Sequence, residues 1–255
     1  MHVLKRFFPN PARNWIAPLF VALYWTTCAL AQQTTDPRPI PPPPPIPFQP
    51  QPGMQHPDLP IFQKIAPGVF GLGDIQISKA AGSISFPVLV NMDRGMLEYL
   101  VVRNGGKTHE SLFRTPIDPT QLQMSLLLLG IEGTDQPLSR QGDPDAPRGN
   151  PVEIKVSYLV NGRMVQLAPE TWIARKTGGV LGNTEPLQWM YTGSTISNGR
   201  FLAQAEGSVI ALYHDPAALI DNASPGGEND RIWFVDEATV PPVGTPVTLT
   251  IRIKN

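Results

Sequence analysis

Five consecutive residues, Lys107-Thr-His-Glu-Ser111, place an amine, an imidazole, a carboxylate and a hydroxyl within one short segment. A second reactive pair, His214-Asp215, follows about a hundred residues later. An imidazole beside a serine hydroxyl is the start of base-assisted nucleophilic chemistry, provided a carboxylate orients the base. If Thr108 to Thr115 is a strand, alternation sets His109 and Ser111 on one face and Glu110 on the other. Neighbours alone then cannot complete a triad, and Asp215, Asp221 or Asp230 would have to supply the acid. The Gly-x-Ser-x-Gly elbow of α/β-hydrolases is absent. No residue is therefore assigned as catalytic. The binding candidates are Lys107, His109, Glu110, Ser111, His214 and Asp215, and the plainer role for His109 and Glu110 is to cap turns or bond across a sheet.

Metal and cofactor chemistry find less support. No His-x-x-x-His or His-Glu-x-x-His spacing exists, so a zinc site would need the fold to unite His109, His214 and an acid. Asp221, Glu228, Asn229 and Asp230 offer oxygen ligands without EF-hand spacing, and Asp and Asn in Gly-rich loops ordinarily form turns. Gly178-Gly179 lacks the Gly-Lys-[Ser/Thr] ending of a phosphate loop. The expectation is no metal and no cofactor. Trp172, Trp189 and Trp233 could line a groove, but a Trp in a strand-rich domain more often packs its core.

The elements that must position these residues are mostly short and β-like. Val69 to Ile77 and Ile84 to Val90 read as a hairpin, with Pro87 placing the second run at a sheet edge. Leu97 to Arg103 is a strand closed by Asn104-Gly-Gly106, and Thr108 to Thr115 reads as its return. Asp118 as N-cap, Pro119 at the first helical position and Gly130 beyond the end predict a helix over about 118–130. Its leucines point in most directions, which predicts a buried central helix. Val152 to Val160 alternates, and Asn161-Gly162 is a hairpin turn into Met164 to Ala168. Glu170 to Ala174 is a short strand or one helical turn, Lys176 to Thr184 a Gly-rich loop, and Trp189 to Tyr191 a strand. Phe201 to Ala205 and Ser208 to Tyr213 read as strands, Asp215-Pro216 opens a second short helix over about 216–221, and Ile232 to Val235 and Val247 to Ile253 close the domain. The predicted class is α+β: a strand-rich single domain with two helices.

The N-terminal portion has a different character. Lys5, Arg6 and Arg13 precede an apolar run from Ile16 to Cys28, and Ala29-Leu-Ala31 provides small residues before a cleavage point. This is the pattern of a secretory signal peptide over residues 1–31. Its removal takes away three cations and the only cysteine, leaving a net charge of −4 from the chain's 20 Lys+Arg and 21 Asp+Glu. A cysteine-free mature chain holds no disulfide and no Cys-ligated iron–sulfur cluster. Residues 32–60 are a Pro-rich tail containing the run Pro41 to Pro45, a composition that precludes a packed core. The globular domain is expected over 61–255. Its charge gives no nucleic-acid footprint. The expected setting is the periplasm, the cell envelope or the exterior, with no membrane span once the signal is cleaved.

Several blocks, Glu98-Tyr99, Gly106-Lys107-Thr-His-Glu-Ser111, Tyr191-Thr-Gly-Ser194 and Glu206-Gly-Ser-Val-Ile-Ala-Leu-Tyr-His-Asp-Pro216, resemble the YdjY-like domain family. So do Leu126 to Gly130 and Val240 to Ile251, and the resemblance spans roughly Phe70 to Ile253. It implies an exported bacterial domain and assigns no reaction. A ferredoxin-like label carried by some members does not suit a mature chain without cysteine. The reading that results is an exported, non-catalytic binding or envelope-associated module, its partner an unidentified ligand or envelope protein. The alternative is an extracytoplasmic hydrolase or metal-dependent enzyme using His109 with Ser111 or a carboxylate.

Overall fold

The computed structural model describes residues 61–254, so the expected signal peptide and Pro-rich tail lie outside the described residues. In chain order the strands are β1 (Phe62–Ala66), β2 (Val69–Leu72), β3 (Ile75–Ser78), β4 (Ser83–Val90), β5 (Tyr99–Arg103) and β6 (Ser111–Thr115). Then come β7 (Asn150–Val160), β8 (Arg163–Leu167), β9 (Ile173–Thr177), β10 (Val180–Asn183), β11 (Trp189–Tyr191) and β12 (Ile196–Ser197). The last are β13 (Arg200–Phe201), β14 (Ser208–Ala211), β15 (Ile220–Asn222), β16 (Trp233–Val235) and β17 (Pro246–Ile253). Two α-helices accompany them, α1 (Pro119–Leu128) and α2 (Leu202–Glu206).

The main sheet has the order β1-β2-β3-β4-β17-β7-β11-β15-β14-β5-β6, with β8 alongside β7. A further pairing of β6 with β4, through Leu89↔Arg114 and Val90↔Phe113, closes the strands from β4 to β6 into an eight-stranded barrel. β1 to β3 extend from it as an open wing. Alternation fills the interior: Ile84, Phe86, Val88 and Val90 of β4 face Val247, Leu249 and Ile251 of β17 and Val152, Ile154 and Val156 of β7, all buried. Trp172 lies edge-on to Phe113 at 5.7 Å and to Tyr158 at 5.1 Å, so it packs the core rather than a groove. Trp189 and Trp233 are buried as well.

The protein is therefore mostly β, which corrects the α+β expectation. The predicted central helix exists as α1, but it buries only Pro119, Leu122, Ser125 and Leu126, while Leu127 and Leu128 are 45% and 44% exposed. The leucine run covers one side of the barrel because strand residues already fill the centre. The second predicted helix, 216–221, does not form. Asp215 instead closes a single turn by accepting the Ala217 and Ala218 N–H groups, and Ile220–Asn222 is drawn into the barrel as β15. A short helix arises at α2, where a strand was expected, from the helix-forming run Ala203-Gln-Ala-Glu206 ended by Gly207 at φ 74°.

Smaller corrections concern the strand pairing next to the site and two segments beyond it. β5 and β6 are not a hairpin but a parallel pair, Tyr99 opposite Ser111 and Val101 opposite Phe113. The chain from Asn104 to Glu110 runs back along the barrel and ends in a 3-10 turn, Thr108–Glu110, so His109 is not in a strand. Lys176 to Thr184 is no loop but the β9–β10 hairpin turning at Gly178-Gly179. Pro87 sits in β4 between the last β3 contact, at Ser85, and the first β6 contact, at Leu89. An interior strand thus tolerates it where one neighbour has ended and the next has not begun.

Candidate functional site

β5 and β14 are buried on both faces. One faces the barrel interior; the other holds a small separate cluster of Tyr99, Val102, Ala211 and Ala218. Tyr99 carries its hydroxyl out of this cluster toward the polar groups above. That hydroxyl donates to Asp215 Oδ2 at 2.6 Å and accepts from Lys107 Nζ at 2.6 Å. Ser208 Oγ donates to the same carboxylate oxygen at 3.0 Å, and the Ala217 N–H donates to Oδ1 at 2.9 Å. Lys107 Nζ stands 3.7 Å from both Asp215 Oδ2 and Glu206 Oε2, and 4.9 Å from the Tyr99 ring centroid. Gln141 Nε2 closes the outer side, 3.3 Å from the Tyr99 hydroxyl and from Glu98 Oε2.

Two glycines allow this convergence. A Cβ on Gly106 would lie 3.1 Å from the Arg103 carbonyl oxygen and 3.2 Å from that of Glu206, and one on Gly207 would lie 3.1 Å from Gly106 Cα. Backbone contact at that point brings the Lys107 turn against the α2–β14 junction, within reach of Glu206 and Ser208. Asp215 is placed by its neighbour. His214 is buried, with Nδ1 2.7 Å from the Asp143 carbonyl oxygen and Nε2 2.9 Å from that of Asn222. Its backbone N–H donates to Gly227 O and its carbonyl accepts from the Gly142 N–H, each at 2.8 Å. One residue thus ties the 132–149 loop to the 222–230 loop directly behind Asp215.

Burial dominates the electrostatics. It raises the Tyr99 phenol far above its ordinary value, and the adjacent Asp215 charge raises it further. Tyr99 is therefore a neutral donor and not a base. Asp221, fully buried, is pushed well above the usual carboxylate range by desolvation, against two backbone donors, the N–H groups of Asp215 and Asn222, which favour its charge. Glu98 is raised by partial burial and by Glu110 nearby. Below the 132–149 loop a cavity of about 10 Å³ touches Asp215 and Asp221, the size of a single water. Outside it the same loop and Met190 wall a cleft of about 700 Å³.

Of the residues singled out from sequence, Lys107 and Asp215 meet. His214 adjoins them but faces into the loops. His109 is 78% exposed and pairs only with Glu110, at 3.4 Å. Ser111 is wholly buried and donates to the Phe113 carbonyl at 2.7 Å. The expected His109–Ser111 face does not exist, because one residue lies on an exposed turn and the other inside a parallel strand. Of the oxygen ligands considered for calcium, Glu228 and Asn229 form turns, accepting from the Gly226 and Arg231 N–H groups, Asp230 lies beside Arg231, and Asp221 is buried in β15 away from them. Among the described residues no group of three or more His, Cys, Asp or Glu could hold a metal ion. Tyr99, Ser208, Glu206 and Gln141 were not singled out. Tyr99, Glu206 and Ser208 stood in the blocks that carry the family resemblance, whereas Gln141 had no signal; what joins Tyr99, Ser208 and Asp215 is tertiary contact.

Barrel, buried Tyr–Asp–Lys knot and adjoining loop-walled cleft together define a class, a small β-barrel domain built around polar groups it satisfies internally. The YdjY domain family model matches residues 75–252, well over half of the 255-residue chain, and the chain belongs to this family. No curated protein and no solved structure matches it.

Proposed function

We propose that this YdjY-domain protein is exported to the periplasm, envelope or exterior and acts there as a non-catalytic binding or envelope-associated module. Export is supported by the positive, apolar and small-residue order of residues 1–31. The non-catalytic reading rests on one observation, the burial of Asp215 among its donors. Both its oxygens are occupied by Tyr99, Ser208 and the Ala217 N–H, and the phenol beside it is held neutral. A general base needs a free lone pair within reach of substrate, and a nucleophile needs exposure. Asp215 is buried with three donors on its oxygens and so lacks the reach, and Ser111 lacks the exposure. The cleft under the 132–149 loop is the place for a ligand, being the recess next to this rigid framework.

Expression of the full chain in an exporting host tests both parts. Export predicts an N-terminus at Gln32 in the secreted fraction, and retention inside the cell with Met1 intact overturns it. The non-catalytic reading predicts no turnover of ester, peptide or phosphoester probes beyond that of the His109→Ala and Lys107→Ala variants. Turnover abolished by either substitution overturns that reading.

A further inference from the structure

The β7–β8 hairpin outruns the barrel. β17 stays paired with β7 only from Val152 to Ser157, whereas β7 and β8 remain paired out to Val160↔Arg163, around the Asn161-Gly162 turn. Past Ser157 the hairpin has no third strand beside it, and its two faces differ. Tyr158 turns inward, edge-on to Trp172 at 5.1 Å, and anchors the base. On the other face Leu159 and Met164 are direct cross-strand partners, each 65% exposed. Val160 at the tip is 36% exposed. Leu159 and Met164 also wall a cleft of about 620 Å³ shared with the rim residues Leu89, Pro116 and Pro246.

Unpaired charge at this end has one sign. Val156 to Pro169 carries a single charged side chain, Arg163, at the turn. Arg114 on the rim reaches Asn104 at 3.4 Å, and neither Arg114 nor Arg163 has an ion-pair partner among the described residues. Asp118 nearby is matched by Arg103 at 2.7 Å. Bare leucine and methionine at a projecting tip are unfavourable in water. An aliphatic tip and unmatched arginines suit a bilayer interface, where the apolar groups enter the acyl boundary and the cations meet phosphate. A second copy fits less well, since two-fold apposition of tips would bring Arg163 against Arg163.

We infer that the β7–β8 hairpin tip is a membrane-docking element for a bilayer carrying anionic headgroups. The inference rests on the export reading, which puts the domain beside envelope lipid. The test uses the chain secreted by an exporting host, floated with vesicles of phosphatidylcholine alone or mixed with phosphatidylglycerol. Binding is expected for the mixed vesicles, weakened about tenfold or more in Leu159→Gln/Met164→Gln because two apolar side chains no longer enter the interface. Arg163→Gln is expected to flatten the salt dependence. Thermal melts of both variants should match the wild type, the altered side chains being exposed. Absence of vesicle binding, or equal binding by the double glutamine variant, overturns the inference. So does wild-type self-association that the double variant abolishes, which would make a second copy the occupant. Vesicle binding by a chain found to be unexported sinks the export reading while leaving the docking surface standing.

Discussion

The Tyr99 hydroxyl lies 2.6 Å from Asp215 Oδ2 although 116 positions separate the two residues, and both are almost wholly buried. That bond pins the 212–219 segment to β5 across the outside of the barrel. Lys107 covers it from the solvent side, so a carboxylate that would be costly to bury alone is matched by donors and by a cation. The paired groups hold the 107 turn, β5 and the 212–219 segment together.

Removing either partner of this bond is therefore expected to be unequal in cost. Tyr99→Phe deletes the hydrogen bond to the Asp215 carboxylate, about 1.5–3 kcal/mol, and takes the phenol oxygen away from Lys107 Nζ and Gln141 Nε2, which solvent and Glu206 can still meet. Asp215→Ala strands two hydroxyls, an N–H and the Lys107 charge together, at about 3–5 kcal/mol. Urea unfolding of both variants and of the double variant measures this. Additive losses would show that the two residues are not coupled.

Asp221 gives a pH signature. Its folded-state value is raised by burial above that of the unfolded chain. The native state then holds a proton that the unfolded state releases near pH 4, so stability must fall as pH rises from there toward the folded value. Denaturant midpoints between pH 4 and 8 should decline for the wild type. Asp221→Asn removes the ionisation and should flatten that decline, although its amide NH₂ must face a backbone N–H and lowers stability throughout. An identical slope in both proteins would assign the pH dependence elsewhere.

At Gly227 a side chain has no room, because a Cβ there runs into His214 Nε2 and the Asn222 carbonyl oxygen. Gly227→Ala should break the link between the 132–149 and 222–230 loops and lower the melting temperature by many degrees, an overpacking loss of about 1–3 kcal/mol or more. Amide exchange should localise the damage to those loops. Uniform exchange across the barrel would argue against His214 as their tie.

Little is expected from the residue that drew attention first. His109 is exposed and touches only Glu110, so His109→Ala should leave the unfolding free energy within about 0.5 kcal/mol of wild type. The melts of both should ignore a chelator, and elemental analysis should find no bound metal lost with the substitution. A chelator-sensitive wild type whose metal disappears in His109→Ala would reopen a metal centre at the block.

Local signals read well along this chain. Asp118-Pro119 begins α1, Asn161-Gly162 turns β7 into β8, and the alternation in Val152 to Val156 and Val247 to Ile251 marks the residues that fill the barrel. Each works within a few residues, through a proline fixed at the first helical position, a positive φ, or the two-residue period of a strand. Asp118 itself caps no N–H, its carboxylate being taken by Arg103 and Gln204. Where they misled, a distant partner had decided. Leu126 to Leu129 looked buried all round because nothing nearby revealed that the barrel centre was taken. Asp215-Pro216 looked like a helix start until Ile220 was claimed by β11 and β14.

What the sequence determined by itself is the YdjY-type chain with its turns, its strand faces and the reactive block at Lys107 to Ser111. What only the tertiary structure decided is which members of that block matter. Running β6 parallel to β5 swings His109 outward, seals Ser111 within the sheet and carries Lys107 back over Tyr99, where Asp215 and Ser208 arrive from the far end of the chain. Strand partners are chosen by burial of the whole barrel, a non-local quantity that no short stretch of residues encodes.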